Sequence, residues 1–434
     1  MKCATDLKRG AKERDNAPAS SKHIFWCGGF ATMSKPLEGI KVIEIAQEIQ
    51  GPFAGLFLAD MGAEITKVEN RETGDLRRWL LAGLIGGPEM KNANVSHYFI
   101  AMNRGKRSIT VDLKKKEGVE VVKRLVATHD VLLTNYRPGV LDRLGLGYED
   151  VRKLNPKIVY AQASSWGPRG PWVSRPSRDT LAQAASGLMS KTGMDSDPPL
   201  AAGAAIADQT GALTLAGGVM AALFARERTG KSQKVDASIY GTMIAAQGFE
   251  LNYASLTGEE PPKAGRGHPF LHGVWGAFRT KDSFICIAGV DDKRWADFCR
   301  IMGIQELQND PEFENAARNF RGAKIEKILD GIFPNKTTRE WLTELTAADI
   351  LVTEVATHQQ VLKSEQARAN GYLLDLEHPV AGKMTVTGCP VSLNGEIATE
   401  AKPVPEHGQH TEEILLELGY SWEEIGALRE AEAV

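Results

Sequence analysis

Asp208 has the setting best suited to covalent chemistry in this chain. It lies in Ala207-Asp208-Gln209-Thr210-Gly211, where the small-residue run Gly203-Ala204-Ala205 meets an apolar stretch with helical spacing. Two readings of this aspartate stand side by side. As an N-cap, its carboxylate would accept hydrogen bonds from the first backbone N–H groups of the helix. As a nucleophile, one free oxygen would face a bulky ligand admitted by the small side chains. The helix N-terminus would then steady developing negative charge.

A second set of candidates is basic. Arg71 follows one predicted strand, and Asn103-Arg104-Gly105-Lys106-Arg107 precedes the next. Asn135-Tyr136-Arg137-Pro138-Gly139 follows another, and Arg143 comes one turn later. If these loops converge at one edge of a sheet, the arginines and lysines would hold phosphates and Tyr136 would stack on an adenine. The same residues would serve equally well as ordinary solvated loop charges. Thr229-Gly230-Lys231-Ser232 has the ending of a phosphate loop. Ala225 stands where the earlier glycine is needed, however, and a helix precedes the segment, so Gly230 reads as a helix C-cap. His268 and His272 are spaced i, i+4, and His407 and His410 i, i+3. No cysteine or carboxylate pattern completes a site around them, so they read as solvated loop histidines and no metal is expected.

The elements that must position these residues follow from periodicity. IKVIEIA reads as a strand, GPFAGLFLADMGA as a helix and EITKVEN as a strand, which together make a parallel βαβ unit. The theme continues with SITVDL, GVEVVKRLVATH, DVLLTNY, YEDVRKLNP and KIVYAQAS. Two helical stretches and the strand KVDASIY complete an α/β, Rossmann-like, doubly wound fold, with ligands expected at the carboxyl ends of its strands. The Gly- and Pro-rich GEEPPKAGRGHP marks a boundary. Beyond it, GVWGAFRTKDSFICIAGV reads as two antiparallel strands turning at Lys281-Asp282, followed by three amphipathic helices. Residues 1–33 read as a disordered extension, and the segment beyond the boundary, 257–364, as a small α+β domain.

Composition narrows the function classes. With 434 residues, 42% hydrophobic and 25% charged, the chain can bury a substantial core. A net charge of -3 provides no overall basic field for nucleic acid or an anionic membrane, so neither is an expected partner. Five cysteines with no C-x-x-C pair argue against a disulfide framework and for a reducing cytoplasm. No apolar run reaches membrane-spanning length, about 18 residues, and residues 1–32 lack the continuous apolar core of a signal peptide.

Several ordered motifs then carry a family resemblance. They begin with PLEGIKVIEIA, GPFAGLFLADMGAEITKVEN, NRGKRSITVDLKKKEG and TNYRPGVLDRLGLGYEDV, and continue with NPKIVYAQASSWGPRGP and SRDTLAQAASGLM. ADQTGALTLAGGVMAALFARERTGK and HGQHTEEILLELG complete the set. On these the chain resembles the class III CoA-transferases, the group of formyl-CoA:oxalate and crotonobetainyl-CoA:carnitine transferases. The match covers about 34–245 and the C-terminal seventy residues, and is loose over 257–364.

The resemblance implies an interlocked ring homodimer whose large Rossmann-like CoA-binding domain is built from both ends of each chain, 34–256 and 365–434. It implies no metal or permanently bound cofactor; coenzyme A and acyl-CoA are substrates, and a free carboxylic acid is the acceptor. Asp208 falls at the catalytic position, where it would form an aspartyl anhydride and then an aspartyl-CoA thioester. Gln50, Lys114, Asn135, Tyr136, Arg137 and Arg143 fall at CoA-contact positions, with Val111 and Tyr136 beside the adenine. The chain departs from the family pattern at Asn70, where a basic residue is usual and Arg71 is adjacent, and at Ile49, where a glutamine is usual and Gln50 is adjacent. Only Gly265-Arg266-Gly267-His268 is available as a glycine flap. The related 2-methylacyl-CoA racemases use a histidine at the position of Arg178, and a guanidinium cannot accept a proton there. The implied activity is therefore CoA transfer, with α-methylacyl-CoA racemisation and non-catalytic CoA binding as alternatives. Arg175 and Arg178 would hold either an acceptor's second carboxylate, as in succinate, or CoA phosphates.

Overall fold

Strands that alternate with helices run parallel, because each crossover carries the chain back across the sheet before the next strand begins. The computed structural model describes residues 35–79, 96–271, 273–315, 322–397 and 399–434, and 35–434 form one compact unit. The expected extension over 1–33 lies outside the described residues, as does His272. Six strands form the main sheet: β1 (Lys41–Ile45), β2 (Glu64–Glu69), β3 (Arg107–Thr110), β4 (Val131–Thr134), β5 (Val159–Ser164) and β6 (Gln233–Ser238). All pair in parallel, in the order β3-β2-β1-β4-β5-β6. The sheet is doubly wound, as expected from the sequence. Strand order reverses between β1 and β4, so the loops leaving those two strands diverge and open a crevice at their carboxyl ends.

Both faces of the sheet are buried. Along β1, Ile43 and Ile45 point to one side, where they meet Val121, Val122 and Leu125 of helix Lys116–Thr128. Ile414, Leu415, Ile425 and Leu428 from the end of the chain join that same core, so the C-terminal helices Thr411–Glu417 and Trp422–Glu430 cover this face of the sheet. Val42 and Ala46 point to the other side, towards Leu58 of helix α1 (Gln50–Asp60) and Leu215 and Val219 of the long helix Ile206–Thr229. That long helix ends as expected at Gly230, whose left-handed φ of 67° lets its N–H reach the Arg226 carbonyl at 2.7 Å.

A separate core lies between Val274 and Ile350, built on Phe278, Phe298, Leu329, Phe333 and Trp341. Here β7 (Trp275–Arg279) and β8 (Phe284–Ala288) are antiparallel, and their turn falls at Lys281-Asp282 as the sequence predicts. A third strand, β9 (Val352–Glu354), adds to β8. Sequence analysis gives no account of it, because three residues are too short to show a period. The hairpin Leu373–His378/Gly382–Thr387 and helix Trp422–Glu430 escaped for a related reason: their apolar residues are few and pack on distant partners.

Candidate active site

The loops after β1 and β4, the ends of β5 and β6 and the segment 173–178 enclose a cavity of about 460 Å³. It opens at the strand-order reversal. Gln47, Glu48 and Gln50 approach it from β1, Asn135, Tyr136 and Arg137 from β4, and Arg175, Arg178 and Asp208 from the opposite wall. Seven of the sequence-predicted site residues therefore meet here: Gln50, Asn135, Tyr136, Arg137, Arg175, Arg178 and Asp208.

Asp208 is not the helix cap. The N-cap of its helix is Ala205, and the capping carboxylate comes from Asp179, at the start of helix Asp179–Ala185. Asp179 Oδ1 accepts the N–H groups of Ala207 at 2.8 Å and Asp208 at 3.0 Å, while its Oδ2 accepts from Gln183 at 2.5 Å. The N-cap reading fails because a partner distant in sequence fills the role, and no local pattern shows that. The Asp208 carboxylate makes no hydrogen bond with any described residue. Burial raises its pKa to about 7, helped by the Asp179 and Glu48 carboxylates and opposed by Arg77 and Arg178.

The two central loops are tied to each other. The Asn135 side chain accepts from Gln47 N at 3.0 Å and donates to Gln47 O at 2.6 Å. Gln47 Nε2 donates to the Tyr136 hydroxyl at 3.3 Å, and Gln162 Nε2 holds the Tyr136 carbonyl at 2.8 Å. Burial raises the Tyr136 pKa, so its hydroxyl is neutral. Gln50 is buried at the first turn of α1, with Nε2 at 3.5 Å from the Ala237 carbonyl. Arg137, Arg175 and Arg178 are exposed, and the Arg175 guanidinium lies 5.2 Å from the Trp172 ring centre and 5.7 Å from that of Trp166.

Beneath the β1 loop lies a layer of buried charge. Lys67, with no exposed side-chain surface, reaches Glu44 at 3.0 Å, Asp75 at 2.9 Å and the Ala46 carbonyl at 2.8 Å. Burial opposes its charge, but Asp75, Glu44 and Glu69 hold its pKa above the ordinary value. Lys106 Nζ bonds Glu44 at 2.7 Å, Pro52 O at 2.8 Å and Asn103 Oδ1 at 2.9 Å; burial lowers it to about 8. Burial also opposes the Glu69 charge, yet paired bonds from Arg78 at 2.6 and 3.0 Å keep its pKa at about 2. Gly55 lets α1 lie over this layer, since a Cβ there would overlap the Glu44 carboxylate.

The expected convergence of basic loops holds only in part. Lys106 serves the buried layer, Arg104 forms a bidentate pair with Asp60 at 2.6 and 2.7 Å, and Arg107 pairs with Glu64, Glu413 and Glu417. These residues enter β3 rather than leave it, so they lie off the carboxyl-end crevice. Four other predicted residues also stand outside the cavity lining. Arg71 donates to the Val434 carbonyl at 3.0 Å, and Val111 is wholly buried in the core against which Tyr136 packs. Lys114 is exposed, as is Arg143, which lies beside Gly139 at the end of the Tyr136 loop.

His407 and His410 are structural ties rather than solvated loop residues. His407 Nε2 lies 2.9 Å from the Asn70 carbonyl, and His410 Nδ1 accepts from Ser108 N at 3.2 Å. None of the residues of the Gly265–His268 segment lines the cavity. Gly265 N bonds the Gly193 carbonyl at 3.1 Å, and Arg266 makes a bidentate pair with Asp330 at 2.6 Å. Sequence reasoning missed Gln47, Glu48, Arg77 and the capping role of Asp179. Only the position of Gln47 and Glu48 at the end of a predicted strand could have flagged them.

Comparison with known proteins agrees with this geometry. The sequence pattern of CoA-transferase family III matches residues 37–411. The chain belongs to that family. Its relatives include the succinyl-CoA:glutarate CoA-transferase of Mus musculus, 36% identical, with 88% of this chain and 86% of that protein covered. The formyl-CoA:oxalate CoA-transferase of Escherichia coli O6:H1 is 29% identical over 93% of this chain and all of its own length. A CaiB/BaiF family protein from Brucella suis has the same fold, with a TM-score of 0.79 and 30% identity over 89% of this chain and 100% of its own. Family III membership makes this chain a CoA-transferase. Among the described residues no cluster of three or more His, Cys, Asp or Glu side chains could hold a metal ion, and no helix is long and apolar enough to cross a membrane.

Proposed function

We propose that this family III enzyme moves CoA from an acyl-CoA to a free carboxylic acid through covalent intermediates on Asp208. The observation that carries this reading is the Asp208 carboxylate itself. It borders the cavity at a helix N-terminus, makes no hydrogen bond to a described residue, and is relieved of capping duty by Asp179.

In the proposed sequence an Asp208 oxygen attacks the thioester carbonyl carbon. The C–S bond breaks, CoA thiolate leaves, and an aspartyl anhydride forms. The thiolate then attacks the Asp208 carbonyl, which releases the donor acid and leaves an aspartyl-CoA thioester. An acceptor carboxylate attacks that thioester to form a second anhydride and free the thiolate again. Attack of the thiolate on the acceptor's acyl carbon gives the new acyl-CoA and restores Asp208. Exclusion of water keeps each activated acyl group from hydrolysis. Asn135, Tyr136, Arg137 and the outlying Lys114 and Arg143 serve CoA, with Tyr136 at the adenine. Arg175 and Arg178 serve carboxylates, which suits a dicarboxylate acceptor such as those named for the succinyl-CoA:glutarate relatives. Arg178 also speaks against two-base racemisation.

The reading includes a homodimer and the cytoplasm. Helix Gly248–Thr257 buries none of its residues and exposes Phe249, Leu251 and Leu256, the last at 86%; a second copy would cover this apolar surface. Light scattering on the eluting protein should give twice the chain mass. The free thiols of Cys286 and Cys389 suit a reducing compartment.

Hydroxylamine trapping tests the chemistry. Protein mixed with succinyl-CoA and hydroxylamine should gain about 15 Da at Asp208 as the hydroxamate, and Asp208→Asn should gain nothing. No gain with succinyl-CoA, acetyl-CoA or other short acyl donors would defeat the covalent mechanism.

A further inference from the structure

Glu48 is the odd member of the cavity. It is a non-glycine residue with φ of 67°, in the left-handed region that costs energy for any side chain but is tolerated when its surroundings impose it. The surroundings here are explicit. Its N–H donates to Asp75 Oδ1 at 3.3 Å, and Asp75 is itself fixed to the buried Lys67 at 2.9 Å. Held this way, Glu48 presents its carboxylate to the cavity beside Asp208.

One oxygen of that carboxylate, Oε2, meets two guanidinium groups. Arg77 Nη2 lies at 3.0 Å, with the Arg77 side chain only 14% exposed. Arg178 Nη1 lies at 3.4 Å, with the side chain 69% exposed. The first pair is short and sheltered; the second is long and wet. A second anion entering the cavity would therefore draw Arg178 away and leave Glu48 still neutralised by Arg77.

We propose that Glu48 is a specificity-determining residue for the acceptor acid, an internal carboxylate that occupies Arg178 until the carboxylate of a small organic acid takes its place. The inference rests on the transferase reading given above. Because Glu48 competes with the acid for one guanidinium and adds negative charge to the cavity, it weakens acceptor binding and leaves the CoA-binding loop after β4 untouched. Its removal therefore changes the two substrates unequally. A purely structural role would disturb both together or neither.

The test is steady-state transfer from acetyl-CoA, whose acyl group has no carboxylate of its own, to glutarate by the wild-type chain, Glu48→Gln and Glu48→Asn. Glutamine keeps the shape and removes the charge, whereas asparagine is short, neutral and well tolerated in the left-handed region. The ratio of the glutarate KM to the acetyl-CoA KM should fall about tenfold in both variants, and less as salt is added. Should Glu48→Gln fail to fold, Glu48→Asn makes the same comparison. An unchanged or higher ratio in a folded variant of a wild type that transfers CoA overturns this inference alone. A wild type that transfers no CoA between any pair in a panel of short acyl-CoAs and acids overturns the transferase reading, and this inference with it.

Discussion

The cavity floor and the ionic layer beneath α1 use the same residue types to opposite ends. In the layer, Lys67 and Lys106 each have three partners within 3.0 Å, and Glu44 bridges the two ammonium groups. In the cavity, the Asp208 carboxylate has no hydrogen-bond partner among the described residues, and its pKa rises to about 7. Fully partnered charge fixes a backbone: Lys67 holds Ala46 O, and Asp75 holds Glu48 N, so the loop that walls the cavity cannot drift. Unpartnered charge is reactive, because nothing in the protein already satisfies it. The two regions share the β1 loop, which makes one the support of the other.

The sharpest break in this comparison is at Asp208. Asp208→Asn should lower CoA transfer at least about a thousandfold, the scale seen when a covalent nucleophile is removed. It should also make the fold more stable. A carboxyl whose pKa is raised in the folded state binds its proton more tightly there, so stability is greatest in acid and declines between the unfolded value of 3.8 and about 7. The neutral asparagine avoids that decline. Urea unfolding at pH 8 should show the variant about 2 kcal/mol more stable, with the difference vanishing near pH 4. A variant that loses activity and stability together would place Asp208 with the structural charges instead.

Next in size is the layer. Lys67→Met takes the ammonium partner from Asp75 and one of the two from Glu44, both wholly buried carboxylates, and should cost about 3–5 kcal/mol in urea unfolding. The solvent-exposed Arg143→Ala should change stability by less than about 0.5 kcal/mol. Equal small effects would show that the layer positions nothing.

These two regions were unequally legible in the sequence. The strands and helices were readable because β-branched runs and helical periods are local, whereas the strand order, with its reversal between β1 and β4, is set by pairing across the fold. Asp208 stood out by its small neighbours and its place before a helix. What the sequence hid is pairing across long separations. Asp179 caps a helix from 29 residues upstream, since its Oδ1 accepts from Asp208 N. The basic run from Arg104 to Arg107 looked like a phosphate site because its acidic partners, Asp60, Glu44 and Glu417, are scattered along the chain. Charge reads as available in a sequence until folding reveals its partner.

Asp179, a partnered carboxylate beside Asp208, gives a smaller, finer test. Asp179→Ala removes the acceptor of two helix N–H groups and should cost about 1–2 kcal/mol in unfolding. It also takes a negative charge from beside Asp208, which changes the pH response. Only the ionised Asp208 can attack, so transfer by the wild type should rise about fivefold from pH 6 to pH 7 and level off above about 8. The charges facing Asp208 are Asp179 and Glu48, which raise its pKa, and Arg77 and Arg178, which lower it. Without Asp179 the balance moves towards the arginines, and the midpoint of the profile should fall below that of the wild type even as the helix loses its cap. Rate profiles from pH 5 to 9 on both proteins decide the matter. A midpoint that stays in place would mean that burial alone sets the ionisation of Asp208, and that Asp179 belongs with the fully partnered charges of the scaffold.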